Sequence, residues 1–175
     1  MVRHGESEAN VTDRINDDPS RIVNLTVRGM AQAEAAAISL RGMRFSHAYA
    51  SEFSRAIQTA EILLRHNACL LNIDARLNER RSGMDGLPVQ AFNQLIRPDP
   101  FRIKPMRGES FLEQMGRLGS FMDEIAALHP EGTVLAVSHE NPILAAQALL
   151  ADDPERIALG SIANCAWVEL SWPKE

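Results

Sequence analysis

Thr133-Val-Leu-Ala-Val137 is a continuous run of apolar and β-branched residues with no polar alternation. A strand with one face in water alternates apolar and polar residues. An unbroken run must be buried on both faces, as in the centre of a parallel sheet. Such a strand needs helices on both sides, and the chain offers them in alternation with further strand signals. Thr26 is placed as the N-cap of a helix to about Arg41, with Gly42 as its stop. His47 to Ser51 reads as a short strand, followed by a helix from about Phe53 to His66, and Cys69 to Ile73 as another buried strand. Ser110 and Glu113 form a capping-box pattern heading a helix to about Leu128, whose apolar face carries Phe111, Leu112, Met115, Leu118, Met122 and Ile125. Asn141 and Pro142 then read as N-cap and first-turn proline of a helix to about Leu150. Asp153-Pro154 opens a shorter helix ended by Gly160, and Ala166 to Trp172 is a last strand. The fold class is α/β, a three-layer sandwich with a mostly parallel central sheet flanked by helices.

The 175 residues suit one domain, 1–175, with 45% apolar residues and no repeat or low-complexity stretch. Between Arg76 and Arg107 the pattern changes, with seven basic residues against three acidic, four prolines, and weak periodicity apart from a possible short helix after Pro88. This segment reads as a small cap or insertion at about 76–109, mainly 80–109, over one end of the sheet; the plainer alternative is a solvated loop. A formal net charge of -5 argues against general binding to nucleic acid or an anionic membrane. The longest apolar-rich run, Pro142 to Ala151, is about half a membrane span. The N-terminus has no signal-peptide pattern, and Cys69 and Cys165 fit a reduced, cytoplasmic protein better than a disulfide scaffold. Oligomeric state is left open. Only Met1 and Val2 precede Arg3, fewer than the five or six residues of a usual strand, so either this strand is very short or the natural protein starts further upstream.

Four short pieces fall at or just after expected strand ends: Arg3-His4-Gly5-Glu6 with Ser7 and Asn10; Ser51-x-x-Ser54-Arg55-Ala56-x-Gln58-Thr59-Ala60; Leu77-Asn78-Glu79; and Val137-Ser138-His139. Ligands of open α/β sheets bind outside the carboxyl ends of the strands, where helix N-termini also point. Two histidines and two arginines, far apart in sequence, can therefore meet at one edge. That set suits phosphoryl transfer, in which charge spreads over three equatorial oxygens. Arginine offers a planar fork that is always charged, and a neutral imidazole can attack phosphorus and split one hard step into two. Gly5 would let the backbone pass close to the bound group.

These pieces, with Leu25-Thr26-x-x-Gly29-x-x-Gln32-Ala33, occur in an order that resembles the histidine phosphatase superfamily, in its phosphoglycerate mutase-like branch, over about residues 3 to 143. The resemblance implies that His4 is the nucleophile and that Arg3, Arg55 and His139 form the phosphate pocket. It also implies outer contacts from Ser7 and Asn10, and a carboxyl group, Glu79, that gives and takes the leaving group's proton. It implies no cofactor and no metal, and a small phosphorylated molecule as partner. Arg80 and Arg81 are candidate substrate contacts. Where the family usually has glycine after its second histidine this chain has Glu140, which must point away from a phosphate or be screened by an arginine.

The two imidazoles are expected to face each other across a space that one tetrahedral anion fills, with two guanidinium groups on its rim. His4, among Arg3, Arg55 and a His139 that could itself be charged, should have a lowered pKa. Arg80 and Arg81 should favour ionised Glu79, which then acts as an acid only with substrate bound. His47, His66 and His129 read as structural. The acidic loop Asp13 to Asp18 reads as a solvated turn, with Arg14 and Arg21 as weaker substrate candidates. Three function classes follow: a phosphomonoesterase for a small anionic ester, a phosphoglycerate mutase-type transferase, and a phosphate-binding module without turnover. The short stretch between Glu79 and His139, and Arg81-Ser82-Gly83 where mutases carry an aromatic residue, favour hydrolysis. The basic cap (Arg81, Arg97, Arg102, Lys104, Arg107) suggests a substrate with further negative charge.

Overall fold

In the computed structural model, which describes residues 1–172, the apolar run is the strand Val134–Ser138 (β4). It lies between Val2–Arg3 (β1) and His47–Ala50 (β2), with Leu71–Ile73 (β3) outside β2. All three pairings are parallel. Successive residues of β4 serve opposite cores, as strand geometry requires. Leu135 and Val137 join Ala48 and Ala50 against the helices Val27–Ser39 (α2) and Ser54–Leu63 (α3). Ala136, with Val134 and Tyr49 packed alongside, joins the other core, against Phe111–Leu128 (α5) and Glu140–Ala148 (α6). Helices on both faces make this the expected α/β sandwich. Glu8–Thr12 (α1), Val89–Ile96 (α4) and Pro154–Ala158 (α7) complete the helices among the described residues, with a 3₁₀ turn at Ala75–Leu77.

Two helix starts follow the sequence reading. Thr26 Oγ1 accepts from the Gly29 N–H at 3.0 Å, and Ser110 and Glu113 form a complete capping box. Other boundaries differ. Gly42 has no left-handed backbone; α2 closes at Leu40, whose N–H bonds the carbonyls of Ala36 and Ile38. The N-cap of α6 is His139, so Asn141 and Pro142 lie within its first turn. β3 is a half-exposed edge, with Ile73 49% exposed, and not a buried strand. Its Leu-Leu-Asn-Ile pattern is apolar, but only β2 pairs with it. Ala166 to Trp172 forms no strand: the segment runs antiparallel beside β1 through one bridge, Val2 to Trp167, and mutual hydrogen bonds between Met1 and Val168.

The 76–109 segment holds the short helix anticipated after Pro88, now α4. The acidic loop is not a solvated turn, because it zips onto this cap. Ile15 and Leu87, Gly86 and Ile15, and Val89 and Asp13 share backbone hydrogen bonds of 2.8–3.1 Å. The Asp17 carboxylate accepts from the Ser82 N–H, the Ser82 hydroxyl and the Gly83 N–H. Arg14 and Arg21 bond the same turn, at the Gly86 carbonyl and the Asp85 carboxylate.

The first turn of α2 presses directly on the segment that carries His4. A Cβ on Gly29 would lie 2.0 Å from the Glu6 carbonyl oxygen, and one on Gly5 would lie 2.4 Å from the Gly29 carbonyl oxygen. Gly5 therefore serves a helix-to-loop contact. In an exposed helix, glycine to alanine gains about 1 kcal/mol. Here Gly29→Ala should do the reverse, costing more than that amount of stability and lowering the denaturation midpoint. A midpoint at or above that of the wild type in urea would contradict the packing described.

Candidate active site

His4 follows β1, Arg55 sits in the first turn of α3 after β2, and His139 caps α6 after β4, so three parallel strands deliver them to one edge. All three side chains are buried. The rings of His4 and His139 stand edge to face, with centroids 4.9 Å apart. They do not face each other across a gap, because Arg55 bonds to both. Its Nε donates to His4 Nε2 at 3.1 Å, and Nη2 lies 3.3 Å from His139 Nδ1. These donors assign the tautomers. His4 Nδ1 donates to the Gly5 carbonyl at 2.6 Å, leaving a lone pair on Nε2. His139 Nδ1 accepts from Arg55, so its Nε2–H points to the Ser51 hydroxyl at 2.8 Å.

Burial is the main cause that pushes the His4 pKa well below its usual value, with Arg55 and then Arg3 adding to it. His139 is lowered well below its usual value by burial, Arg55 and His4, so it is neutral in the free protein and not the charged neighbour considered from sequence. Burial brings Arg55 down to about 10, which leaves it charged at neutral pH. The Arg55 charge is flanked by the face of Phe53, 4.4 Å from the ring centroid, and by Asn16, whose Oδ1 and carbonyl both accept from it.

Arg3 lies at the rim. Its Nη1 donates to the Ile162 carbonyl and to Glu140 Oε1 at 3.3 Å, while its buried Nε has no partner. Glu140 is thus screened by an arginine, and its Oε1 also accepts from the Ile162 N–H and the Ser161 hydroxyl. Ser7 and Asn10 form the capping box of α1, the Ser7 hydroxyl donating to Asn10 Oδ1 at 3.0 Å. Asn164 reaches the His4 carbonyl and Asn10 Oδ1.

Glu79 lies close enough to Arg55 and Arg3 to feel both charges, yet burial dominates and raises its pKa. The opposing effects come from the Arg80 N–H, 2.7 Å from Glu79 Oε1, from the two arginines, and from the Asn141 side chain. Arg80 and Arg81 are expected from the sequence to shift Glu79 toward its ionised form; the net shift is instead upward, with burial as its cause. The Arg80 side chain is buried in the cap, donating to the carbonyls of Glu109, Pro100 and Ile103, and Arg81 pairs with Glu109. Of the other cap cations, Arg102 pairs with Asp99 and Glu155, and Lys104 with Glu113. His47 and His129 stack on each other at 3.5 Å, outside this cluster. Among the described residues no group of three or more His, Cys, Asp or Glu is arranged to hold a metal ion.

Sequence reasoning missed Asn16, Phe53, Ser51 as the His139 partner, and Asn141 as the Glu79 partner. Asn16 sits in a run of aspartates that reads as a turn, and nothing in its spacing points to Arg55.

With this geometry in place, comparison with known proteins decides the family. The model of the histidine phosphatase superfamily (branch 1) matches residues 1–175. The chain belongs to that superfamily. A Proteus mirabilis protein named "Probable phosphoglycerate mutase GpmB" is 32% identical over 151 residues, covering 79% of this chain and 67% of that protein. Fructose-2,6-bisphosphatase TIGAR B of Danio rerio is 29% identical over 166 residues, covering 87% of this chain and 63% of that one. The structure is similar to that of a mycobacterial glucosyl-3-phosphoglycerate phosphatase solved with VO3. The TM-score is 0.83 at 27% identity, over 94% of this chain and 86% of that one.

The two buried histidines of this phosphatase-superfamily chain have a consequence for stability. Below about pH 6.5 each binds a proton in the unfolded chain but not in the fold, so the unfolded state holds more protons and stability falls as the pH is lowered. The slope approaches about 1.4 kcal/mol per pH unit for each histidine. Glu79, raised in the fold, acts the opposite way, its contribution being present at low pH and lost as pH rises through its folded pKa. Two groups outweigh one, so the urea midpoint should drop between pH 7 and pH 5, and His4→Gln should flatten that drop. A midpoint independent of pH over this range would show that the histidines are not buried as neutral groups.

Proposed function

We propose that this chain is a phosphomonoesterase that hydrolyses a small anionic phosphate ester through a phosphohistidine on His4, without a metal. The observation that carries this reading is the lone pair on His4 Nε2, set by the hydrogen bond from Nδ1 to the Gly5 carbonyl and lying beside Arg55 and His139. In the proposed reaction a phosphate oxygen takes over the Arg55 Nε–H, freeing Nε2 to attack phosphorus in line. The unpartnered Nε–H of Arg3 gains an acceptor in the same event. His139 and both arginines meet the charge on the equatorial oxygens. As the ester bond breaks, Glu79 protonates the leaving oxygen. The resulting carboxylate then takes a proton from the water that attacks phosphorus and returns the bonding pair to His4 Nε2.

Ser7 and Asn10, bonded to one another in the capping box of α1, are the outer contacts of this pocket in the proposed site. The similarity to a mycobacterial phosphatase and a fish bisphosphatase supports a small phosphorylated molecule as substrate. With Arg102 and Lys104 already paired to acids, Arg97 and Arg107 are the remaining cap candidates for a second negative group. The similarity to a protein named as a mutase keeps phosphoryl return to a second hydroxyl as the other reading.

A screen of phosphate esters with chelator present, comparing wild type with His4→Ala, separates the readings. Turnover that resists the chelator and falls at least about 10³-fold in the variant, about 4 kcal/mol of barrier, fits hydrolysis through His4. Interconversion of 2- and 3-phosphoglycerate that needs a bisphosphate primer would replace it with the mutase reading. Tight binding of esters with no turnover would reject both.

The pH profile tests the acid. The kcat/KM should rise at low pH as His4 loses its proton, at a value well below 6.5, and fall again as Glu79 ionises above its usual carboxyl range. Glu79→Gln should remove the falling limb. A wild-type profile that still rises beyond pH 9 would sink the assignment of Glu79.

A further inference from the structure

The segment that carries Glu79 has no place in the sheet. After the 3₁₀ turn Ala75–Leu77 the chain runs on through Asn78, Glu79, Arg80 and Arg81 without a neighbouring strand among the described residues. Its carbonyls still need partners, because buried backbone groups are almost always bonded. One side chain supplies most of them. Arg117, on α5, donates through Nη1 to the carbonyls of Arg76 at 2.6 Å and Asn78 at 3.0 Å, and through Nη2 to that of Glu79 at 3.5 Å. The Leu77 carbonyl is met by the Ser138 hydroxyl at 2.6 Å, on β4 directly before His139.

Arg117 is held in turn. Its Nε and Nη2 form a two-pronged pair with the carboxylate of Glu109, whose side chain is 2% exposed. The same carboxylate accepts from the Arg81 N–H at 3.1 Å and from the Arg81 guanidinium at 3.4 Å. The Glu109 backbone closes the frame, its N–H donating to the Arg81 carbonyl at 2.8 Å and its carbonyl accepting from Arg80 Nε at 3.2 Å. Glu109 lies just before Ser110, the N-cap of α5, and its side chain meets Arg117 on the helix itself. Between them they bond the backbone of Arg76, Asn78, Glu79 and Arg81 and the side chain of Arg80. The flanking residues on both sides of Glu79 are tied down.

We infer that Arg117, locked by Glu109, is the positioning residue that sets the carboxyl group of Glu79 at the leaving oxygen. The inference rests on the reading of Glu79 as the general acid. Arg117 touches the backbone of the acid's segment and not its carboxyl oxygens, so its action on Glu79 is geometric; its charge, which also reaches His139, is paired with Glu109. The planar fork matters because a single ammonium group cannot span three carbonyls and a carboxylate together.

The test compares an alkyl phosphate, whose poor leaving group needs the acid, with p-nitrophenyl phosphate, whose good leaving group needs it little. In Glu79→Gln the kcat/KM ratio of alkyl to aryl ester, which reports the leaving-group step, should fall by about 10²–10⁴, the usual range for a lost general acid. Arg117→Ala should lower the same ratio at least about 10-fold, with KM little changed and the falling limb of the pH profile where it was. Added to Glu79→Gln, it should lower the ratio no further. Should Arg117→Ala fail to fold, Arg117→Lys decides, since it keeps the charge beside Glu109 and loses the fork; the same ratio should fall, by a smaller factor. An unchanged ratio in Glu79→Gln overturns the acid and the positioning role together. A lowered ratio there, with an unchanged ratio or an equal loss on both esters in the Arg117 variants, overturns the positioning role alone.

Discussion

A guanidinium buried between two imidazoles organises the site. Arg55 is 4% exposed and must keep its charge in a poorly solvated place, which is costly unless every donor is met. Two donors go to His4 and His139, and others to the Oδ1 and carbonyl of Asn16. An imidazole that accepts from a cation cannot hold a proton on the same nitrogen. Both histidines are therefore neutral, and the lone pair of His4 is presented at Nε2, since Nδ1–H is committed to the Gly5 carbonyl. The Gly5 N–H bonds the Thr59 hydroxyl, which bonds the Arg55 carbonyl, so the His4 loop and the arginine's helix are tied at one point.

The same arginine reaches the cap. Asn16 bonds Arg55, and the next residue, Asp17, receives three donors from Ser82 and Gly83. Two adjacent side chains thus connect the Arg55 cluster to the segment that follows Glu79. On the far side of that segment stand Glu109 and Arg117. Glu79 is framed by the cap loop on one side and α5 on the other, and Ser138 ties its approach to the strand that delivers His139.

Much of the fold was legible in the sequence because burial on two faces leaves a plain signature. Thr133-Val-Leu-Ala-Val137 has no alternation, and the capping residues Thr26 and Ser110 with Glu113 mark helix starts by local chemistry alone. What misled were segments whose partners are distant. Asp13 to Asp18 carries charges that suggest water, yet Asp17 finds its donors 65 residues away. Ala166 to Trp172 has strand composition but makes a single bridge beside the two-residue β1. His4, Arg55, Glu79 and His139 could be grouped because they follow strand ends. Asn16, Asn141, Glu109 and Arg117 follow no such rule, since their roles depend on which loops meet.

The clearest difference between sequence and structure concerns Glu79, and it changes how the site works. Adjacent arginines in sequence suggested an ionised carboxylate that only a bound phosphate could protonate. In the fold Arg80 turns to three cap carbonyls and Arg81 to Glu109, so the nearest sequence neighbours contribute one backbone N–H between them to the carboxyl oxygens. Arg55 and Arg3 are the charges that most favour ionised Glu79, the Arg80 charge interacts with it too, and burial outweighs them. A phosphate bound between those arginines would offset their field and push Glu79 further in the direction burial already sets. In the proposed reaction, burial and a bound phosphate therefore shift Glu79 in the same direction, toward the protonated form that an acid needs.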